Sequence, residues 1–344
     1  MTPIYNQLLI PFLTAMVVAI TMGGSGTAPA FSASYGANVM RKSLIPGLFG
    51  IMVFVGAFLA GKKTASTMGS GILPAEYMDF TVVSIALFSI AVTMLISNIS
   101  GIPQSTSQAA VLALAAPALY FGRLDTNNLF IEIIPAWFIL PIISYFLSFF
   151  AGKYIYQPMR RRGLTIQRAQ NENKRHIWDI VLVIMALYVS FAIGSNNVAN
   201  AAGPLYTMTI NELHIRESDH IVILMLATLV VAPCFGIGAS LFGHKILKNT
   251  GKEIILFGKF EAVIIAFISG SLLLLASVVK GIPTSLVQVN VAAILGIGVA
   301  KMGHKNIFRK TQVKRFFTMW MIAPVISFLL SLLLIFLADK ANLL

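Results

Sequence analysis

Charge is scarce in this chain. Only 11% of its 344 residues are charged, and Asp and Glu number 12 against 25 Lys and Arg. Aqueous domains carry roughly a quarter charged residues. With 57% hydrophobic residues, the chain reads as a multi-span membrane protein. Cysteine is almost absent: Cys234 stands alone and excludes an intrachain disulfide framework. The five histidines (His176, His214, His220, His244 and His304) lie in or beside loops. None is spaced with another ligand type, so neither a metal site nor a cofactor is expected. Paired carboxylates and a Ser-His-Asp set are missing too, which argues against an enzyme. No basic region precedes the first apolar run, Ile4 to Thr21, so it reads as a first span and not as a signal peptide. The net charge of +13 marks cytoplasmic loops in a membrane chain, and no nucleic-acid partner is expected.

What is present is a duplicated pattern. Six apolar stretches precede the basic linker YQPMRRRGLTIQRAQNENKRH and six follow it. The expected units are an N-terminal membrane repeat (1–151), a cytoplasmic linker (152–176) and a C-terminal membrane repeat (177–344). Two local matches support the duplication. Gly23 to Ala30 (GGSGTAPA) aligns with Gly194 to Ala201 (GSNNVANA), and GIPQSTSQ from Gly101 aligns with GIPTSLVQ from Gly281.

Charge placement suggests the topology. With the linker in the cytoplasm, Ile177 to Met208 crosses outward and Ile221 to Leu241 returns to Lys245, Lys248 and Lys252. Both Ile254 and Ala300 adjoin basic loops, so the pair of stretches between them forms a hairpin with GIPTS at its tip. The same reasoning gives the first half three crossings and a hairpin at GIPQSTS. An odd number of crossings inverts one half relative to the other. Both chain termini then lie outside. The expected fold is an all-α polytopic membrane protein in the lipid bilayer. Its two inverted-topology repeats have broken helices, and two helical hairpins meet at a midplane site.

Ser190 to Tyr206 (SFAIGSNNVANAAGPLY) is the most polar of the membrane stretches. Asparagines, glycines and proline at membrane depth suit an unwound helix lining a protein-enclosed site. Four elements should converge there: Gly23 to Pro29, Ser100 to Gln108, Gly194 to Asn200 and Lys280 to Gln288. They bring Ser25, Thr27, Ser105, Thr106, Ser107, Gln108, Ser195, Asn196, Asn197, Asn200, Lys280, Thr284, Ser285 and Gln288 as candidate substrate ligands. Nearly all are hydrogen-bond donors, and the hairpin motifs would open helices whose N-termini attract anions. Helix capping is the alternative role for the hydroxyls. Lys280 is expected deep in the membrane with no carboxylate near, paired by the substrate. The alternative is a full-length helix from which it reaches the outer surface. No acid presents itself as a proton carrier.

GSNNVANAAGP resembles the GANDVANAxG signature of the inorganic phosphate transporter (PiT) family. GIPQSTSQAAV and GIPTSLVQVNV resemble its hairpin motif GLPVSTTHALVG. The resemblance covers both halves. It implies an ion-coupled carrier of inorganic oxyanions, built as an inverted repeat, and admits a homodimer. By this resemblance Ser105, Thr106, Ser107 and Ser285 match the anion-binding hairpin residues, and Asn196 and Asn200 match the broken-helix signature. The signature aspartate is Asn197 in one half and Gly26 in the other, and the motif histidines are Gln108 and Gln288. Lost aspartates argue against sodium as the coupling ion and leave a proton. Monohydrogen phosphate needs an acceptor for its O–H, whereas sulfate needs donors alone. The chain therefore resembles the family's sulfate permease branch. A phosphate symporter and an anion channel are the competing readings.

Overall fold

The computed structural model describes residues 4–100, 104–162, 172–244, 247, 258–309 and 311–344. Gly101, Ile102 and Pro103 of the first hairpin tip, residues 163–171 of the linker (Arg168 among them), and Lys245, Lys248, Lys252 and Lys310 lie outside the described residues.

The described residues are helical, without a strand. In chain order the main helices are α1 (Ile4–Gly36), α2 (Ile45–Ala60), α3 (Lys62–Ser70), α4 (Phe80–Ser100), α5 (Thr106–Tyr120) and α6 (Ile134–Phe150). The second half holds α7 (Glu172–Asn197), α8 (Ala199–Leu213), α9 (His220–Leu241), α10 (Lys259–Leu275), α11 (Leu286–Met302) and α12 (Thr311–Lys340). Short π-helical turns, Asn128–Ile133 and Ala276–Lys280, adjoin α6 and α10. Eight helical segments among the described residues are long and apolar enough to cross a membrane, whereas α5 and α11 are shorter apolar helices. The protein is thus a multi-pass membrane protein. Each hairpin pairs a long arm (α4, α10) with a short return arm (α5, α11).

Helix packing follows one rule in both halves. α1 packs on α9 and α2 on α7; α5 packs on α12 and α11 on α6; α1 also packs on α4, as α7 does on α10. Exchanging the halves reproduces each pairing. The closest crossings repeat as well. A Cβ at Gly23 would collide with the Phe235 carbonyl, and one at Gly194 with that of Val53. Gly238 stands against the Ile20 carbonyl as Gly56 stands against Phe191. Without a hydrophobic force between helices in lipid, small residues at crossings allow the close packing that holds them.

These glycines explain a departure from expectation. No unwinding occurs at Gly23 to Pro29, where α1 runs on unbroken. In the second half only Val198 interrupts the helix, and its φ of −61° and ψ of −34° are still helical. Glycine at these positions serves close approach between helices; it does not free the backbone.

The return arms form the centre. Every residue of α11 from Leu286 to Gly298 is buried, and α5 is nearly as enclosed. Ahead of α11, Gly281 takes the left-handed conformation (φ +67°) that ends the π turn. Pro283 keeps Ile282 out of the helical region. Ser285, extended at φ −88° and ψ 103°, then starts α11 as its N-cap. Ser105 does the same for α5.

The two ends of the bundle differ in charge. Near one end Glu212 accepts from the Phe80 N–H and Tyr120 donates to Asp339. Near the other, Lys259 pairs with Asp179 and Lys301 with Glu261. The second end also carries Arg160, Arg161 and Arg162, Lys305, Arg309, Lys314 and Arg315 on the adjoining segments.

Candidate functional site

The N-termini of α5 and α11 face each other in the core. Gln108 Nε2 donates to Gln288 Oε1 at 3.2 Å, and Gln288 Nε2 returns a bond to Gln108 Oε1 at 2.9 Å. Each glutamine holds the equivalent place in its half, so this reciprocal pair lies where the two halves meet. Two helix N-termini aimed at one region combine their positive dipole ends, which favours an anion.

The α7–α8 junction closes this region with three buried amides. Asn196 is fully engaged. Its Oδ1 accepts from the Thr284 N–H at 3.0 Å and from Ser107 Oγ at 3.3 Å, and its Nδ2 donates to Ser277 Oγ at 2.8 Å and to the Ile282 carbonyl at 2.9 Å. It ties α7 to both sides of the second hairpin. Asn197 Nδ2 donates to Thr106 Oγ1 at 2.9 Å, and Asn200 Nδ2 donates to Ser107 Oγ at 3.2 Å. The Oδ1 atoms of Asn197 and Asn200 are buried without a partner. Ser107 also reaches the Thr284 carbonyl at 3.1 Å. Two helix N-termini, two hydroxyls and five side-chain amides therefore meet in one enclosed place. No carboxylate is bonded to any of them among the described residues.

Of the candidate residues, Thr106, Ser107, Gln108, Asn196, Asn197, Asn200 and Gln288 come together there. Ser105 and Ser285 are adjacent, with their hydroxyls accepting from the Gln108 and Gln288 N–H groups at 3.2 and 3.3 Å. Thr284 contributes its backbone, while its hydroxyl donates to the Ile282 carbonyl. Thr27 and Ser195 donate to carbonyls of their own helices, at Gly23 and Ala192. Ser25 donates to Asn98 Oδ1 at 2.9 Å, and Asn98 Nδ2 donates to the Thr21 carbonyl at 2.7 Å. In the second half the corresponding helices are joined by a different Asn–Ser contact, Asn196 with Ser277.

Lys280 departs from expectation. Its side chain is 59% exposed and pairs with Glu132, Nζ to the two carboxylate oxygens at 3.2 and 3.3 Å. The π turn, followed by left-handed Gly281, turns position 280 away from the core. The expected absence of a buried acid is corrected as well. Glu261 is only 2% exposed and is held by Lys301 at 3.3 Å, at the opposite end of the bundle from Lys280. Asn98 and Ser277 escaped the sequence reading because each lies among other scattered Ser and Thr residues of a largely apolar helix. Ser97 and Gln104, which bond to each other beside the first hairpin tip, escaped likewise. Among the described residues no group of three or more His, Cys, Asp or Glu could hold a metal.

An all-helical membrane bundle closing around a buried polar cluster suits a membrane transport protein. Comparison with known proteins agrees, and the chain belongs to the phosphate transporter family, whose sequence model matches residues 22–331. It is 32% identical over 337 residues to the sulfate permease CysP of Bacillus subtilis, covering 97% of this chain and 89% of that one. A relative from Thermococcus kodakarensis, 23% identical over 95% of this chain and 98% of its own, is provisionally named a phosphate permease. Among solved structures, a chain titled the sodium-dependent phosphate transporter superposes with a TM-score of 0.82 at 20% identity, covering 97% of this chain and 99% of that one. At that identity the likeness concerns the fold.

Proposed function

We propose that this protein is a secondary permease that imports a tetrahedral inorganic oxyanion, sulfate in preference to phosphate, by alternating access. One observation carries the choice of substrate: the site offers hydroxyls, amides and helix N-termini, and Asn197 stands where the family signature has aspartate. A fully deprotonated dianion needs donors only. The 32% identity to a sulfate permease supports the same reading. The burial of the polar cluster favours a carrier over a channel. It also favours transport over enzymatic chemistry.

The loss of the signature carboxylates favours a proton over sodium as coupling ion. The exchangeable packing pattern supports two repeats, and their inversion follows from the charge distribution. The protein then sits in the cell membrane with the basic linker inside and both termini outside. A homodimer is compatible with this arrangement.

A second reading rests on the unpartnered Oδ1 atoms of Asn197 and Asn200, which could accept the O–H of monohydrogen phosphate. Each amide, however, is bonded to a hydroxyl, and a hydroxyl donates as readily as it accepts. Asn197 can therefore turn its NH₂ group inward for sulfate and keep its bond to Thr106, whereas Asn200 can do so only if Ser107 releases the Asn196 amide and the Thr284 carbonyl. Uptake of labelled sulfate into proteoliposomes tests the choice, with excess unlabelled phosphate and with imposed proton or sodium gradients. Saturable uptake driven by a proton gradient and indifferent to phosphate is expected. Suppression by phosphate together with sodium dependence would establish the phosphate symporter instead.

A further inference from the structure

Lys280 and Glu132 stand at the rim of a cleft of about 400 Å³, also lined by Thr67, Asp125, Asn128 and Ile282. Ile282 of the lining is bonded through its carbonyl to Asn196 at the buried site. Ile282 thus touches both the cleft and the amide cluster. Lys63 adds a second cation nearby, its Nζ donating to the Val279 carbonyl at 3.2 Å. Asp125 turns one carboxylate oxygen to the Asn128 N–H. The lining carries Lys280 together with Asp125 and Glu132, and Lys280 is ion-paired to Glu132.

Both partners sit in π turns, Glu132 in Asn128–Ile133 and Lys280 in Ala276–Lys280. Such turns carry an extra residue per turn and recur at functional sites. The second turn also contains Ser277, which accepts from Asn196 Nδ2. The pair therefore links the two halves, and Lys280 shares its turn with a residue bonded to Asn196. Exposed ion pairs hold weakly, so a dianion can compete with Glu132 for the ammonium group.

We propose that Lys280 and Glu132 form an exchangeable anion station on the outer approach. The arriving oxyanion replaces Glu132 on Lys280 Nζ, then passes Ile282 to the donors of α5 and α11. The station rests on the oxyanion permease reading. It confines Lys280 to capture, outside the buried site.

The test is the concentration dependence of labelled sulfate uptake by proteoliposomes with this face outward. K280Q should raise KM roughly three- to fivefold, the effect of losing one exposed charge contact, with a smaller change in kcat. E132Q should lower KM by about twofold. Both shifts should shrink at high ionic strength. To separate capture from folding, K280C is purified folded and treated with an aminoethyl methanethiosulfonate reagent. This restores a cation at position 280 and should return KM toward its original value, while buried Cys234 is spared. An unmoved KM in K280Q, or a failure of the restored charge to lower KM, overturns the station. No saturable uptake by the unsubstituted protein would instead overturn the permease reading.

Discussion

The same change, asparagine to aspartate, should have opposite consequences at two neighbouring positions. At Asn196 the Nδ2 atom lies 2.9 Å from the Ile282 carbonyl oxygen and 2.8 Å from Ser277 Oγ. A carboxylate oxygen there would face a carbonyl that has no proton to offer. Ser277 is itself engaged as a donor to the Leu273 carbonyl. A buried charge stripped of its partners costs roughly 3–5 kcal/mol. At Asn197 the amide nitrogen faces only Thr106 Oγ1, a hydroxyl able to turn and donate. The first turn of α5 adds a favourable dipole, worth up to about 2 kcal/mol for a carboxylate. N197D should therefore hold within roughly 1 kcal/mol of the parent protein, and N196D should fall at least about 2 kcal/mol below it. Heating the detergent-solubilised variants and following the monodisperse fraction by size exclusion measures the order. Equal melting of the two, or a lower value for N197D, would refute the assignment of donors and acceptors at this junction.

Four further outcomes follow from the same structure. N197D should also bias competition in the uptake assay toward phosphate, since it adds an acceptor; unchanged selectivity would place position 197 away from the anion. Gly56→Ala or Gly194→Ala drives a Cβ into the backbone of the facing helix and should cost at least about 3 kcal/mol of stability, whereas Gly47→Ala, with open space around it, should be tolerated; thermal melting distinguishes them. Glu261→Ala removes the buried carboxylate that pairs with Lys301 and should destabilise by about 1–3 kcal/mol, while Glu261→Gln keeps a hydrogen-bond acceptor and should lose less. Burial, and then the charge of Glu212, raise the Asp79 carboxyl above its ordinary range, while the Val82 N–H opposes them. A raised carboxyl withdraws stability as pH climbs through its folded-state value. Asp79→Asn keeps the cap to Val82 and should melt higher than the parent at neutral pH, with the gap closing below about pH 4; a gap independent of pH would exclude this cause.

Much of this fold was legible in the sequence because lipid permits few backbone solutions. Uninterrupted apolar length marked the helices, and GIP-x-S-x-x-Q marked both hairpins. It also placed Ser107, Gln108 and Gln288 where the structure brings them together. Glycine was the ambiguous symbol. GSNNVANA reads equally well as an unwound helix or as a close crossing, and only the position of the Val53 carbonyl decides between them. Lys280 was misplaced for a related reason. Side-chain direction at the end of a helix depends on its local winding, and a π turn of five residues has no compositional signature. Asn98 and Ser277 were invisible because small polar residues scattered along these helices, such as Ser89, Thr93 and Ser269, mostly bond their own backbone and mark no site.

The packing of α5 against α12 bears on how this protein is made. α5 is nearly all buried, and Ser327 and Ser331 of α12 bond to its carbonyls at Ala109 and Ala113. Those serines lie more than two hundred residues downstream. During synthesis the first half must wait, inserted but unfinished, until the final helix leaves the ribosome. A chain truncated before Thr311 would present the short arm of its first hairpin to lipid and to the quality-control proteases of the membrane. Two separately expressed halves should each fail alone and recover when produced together.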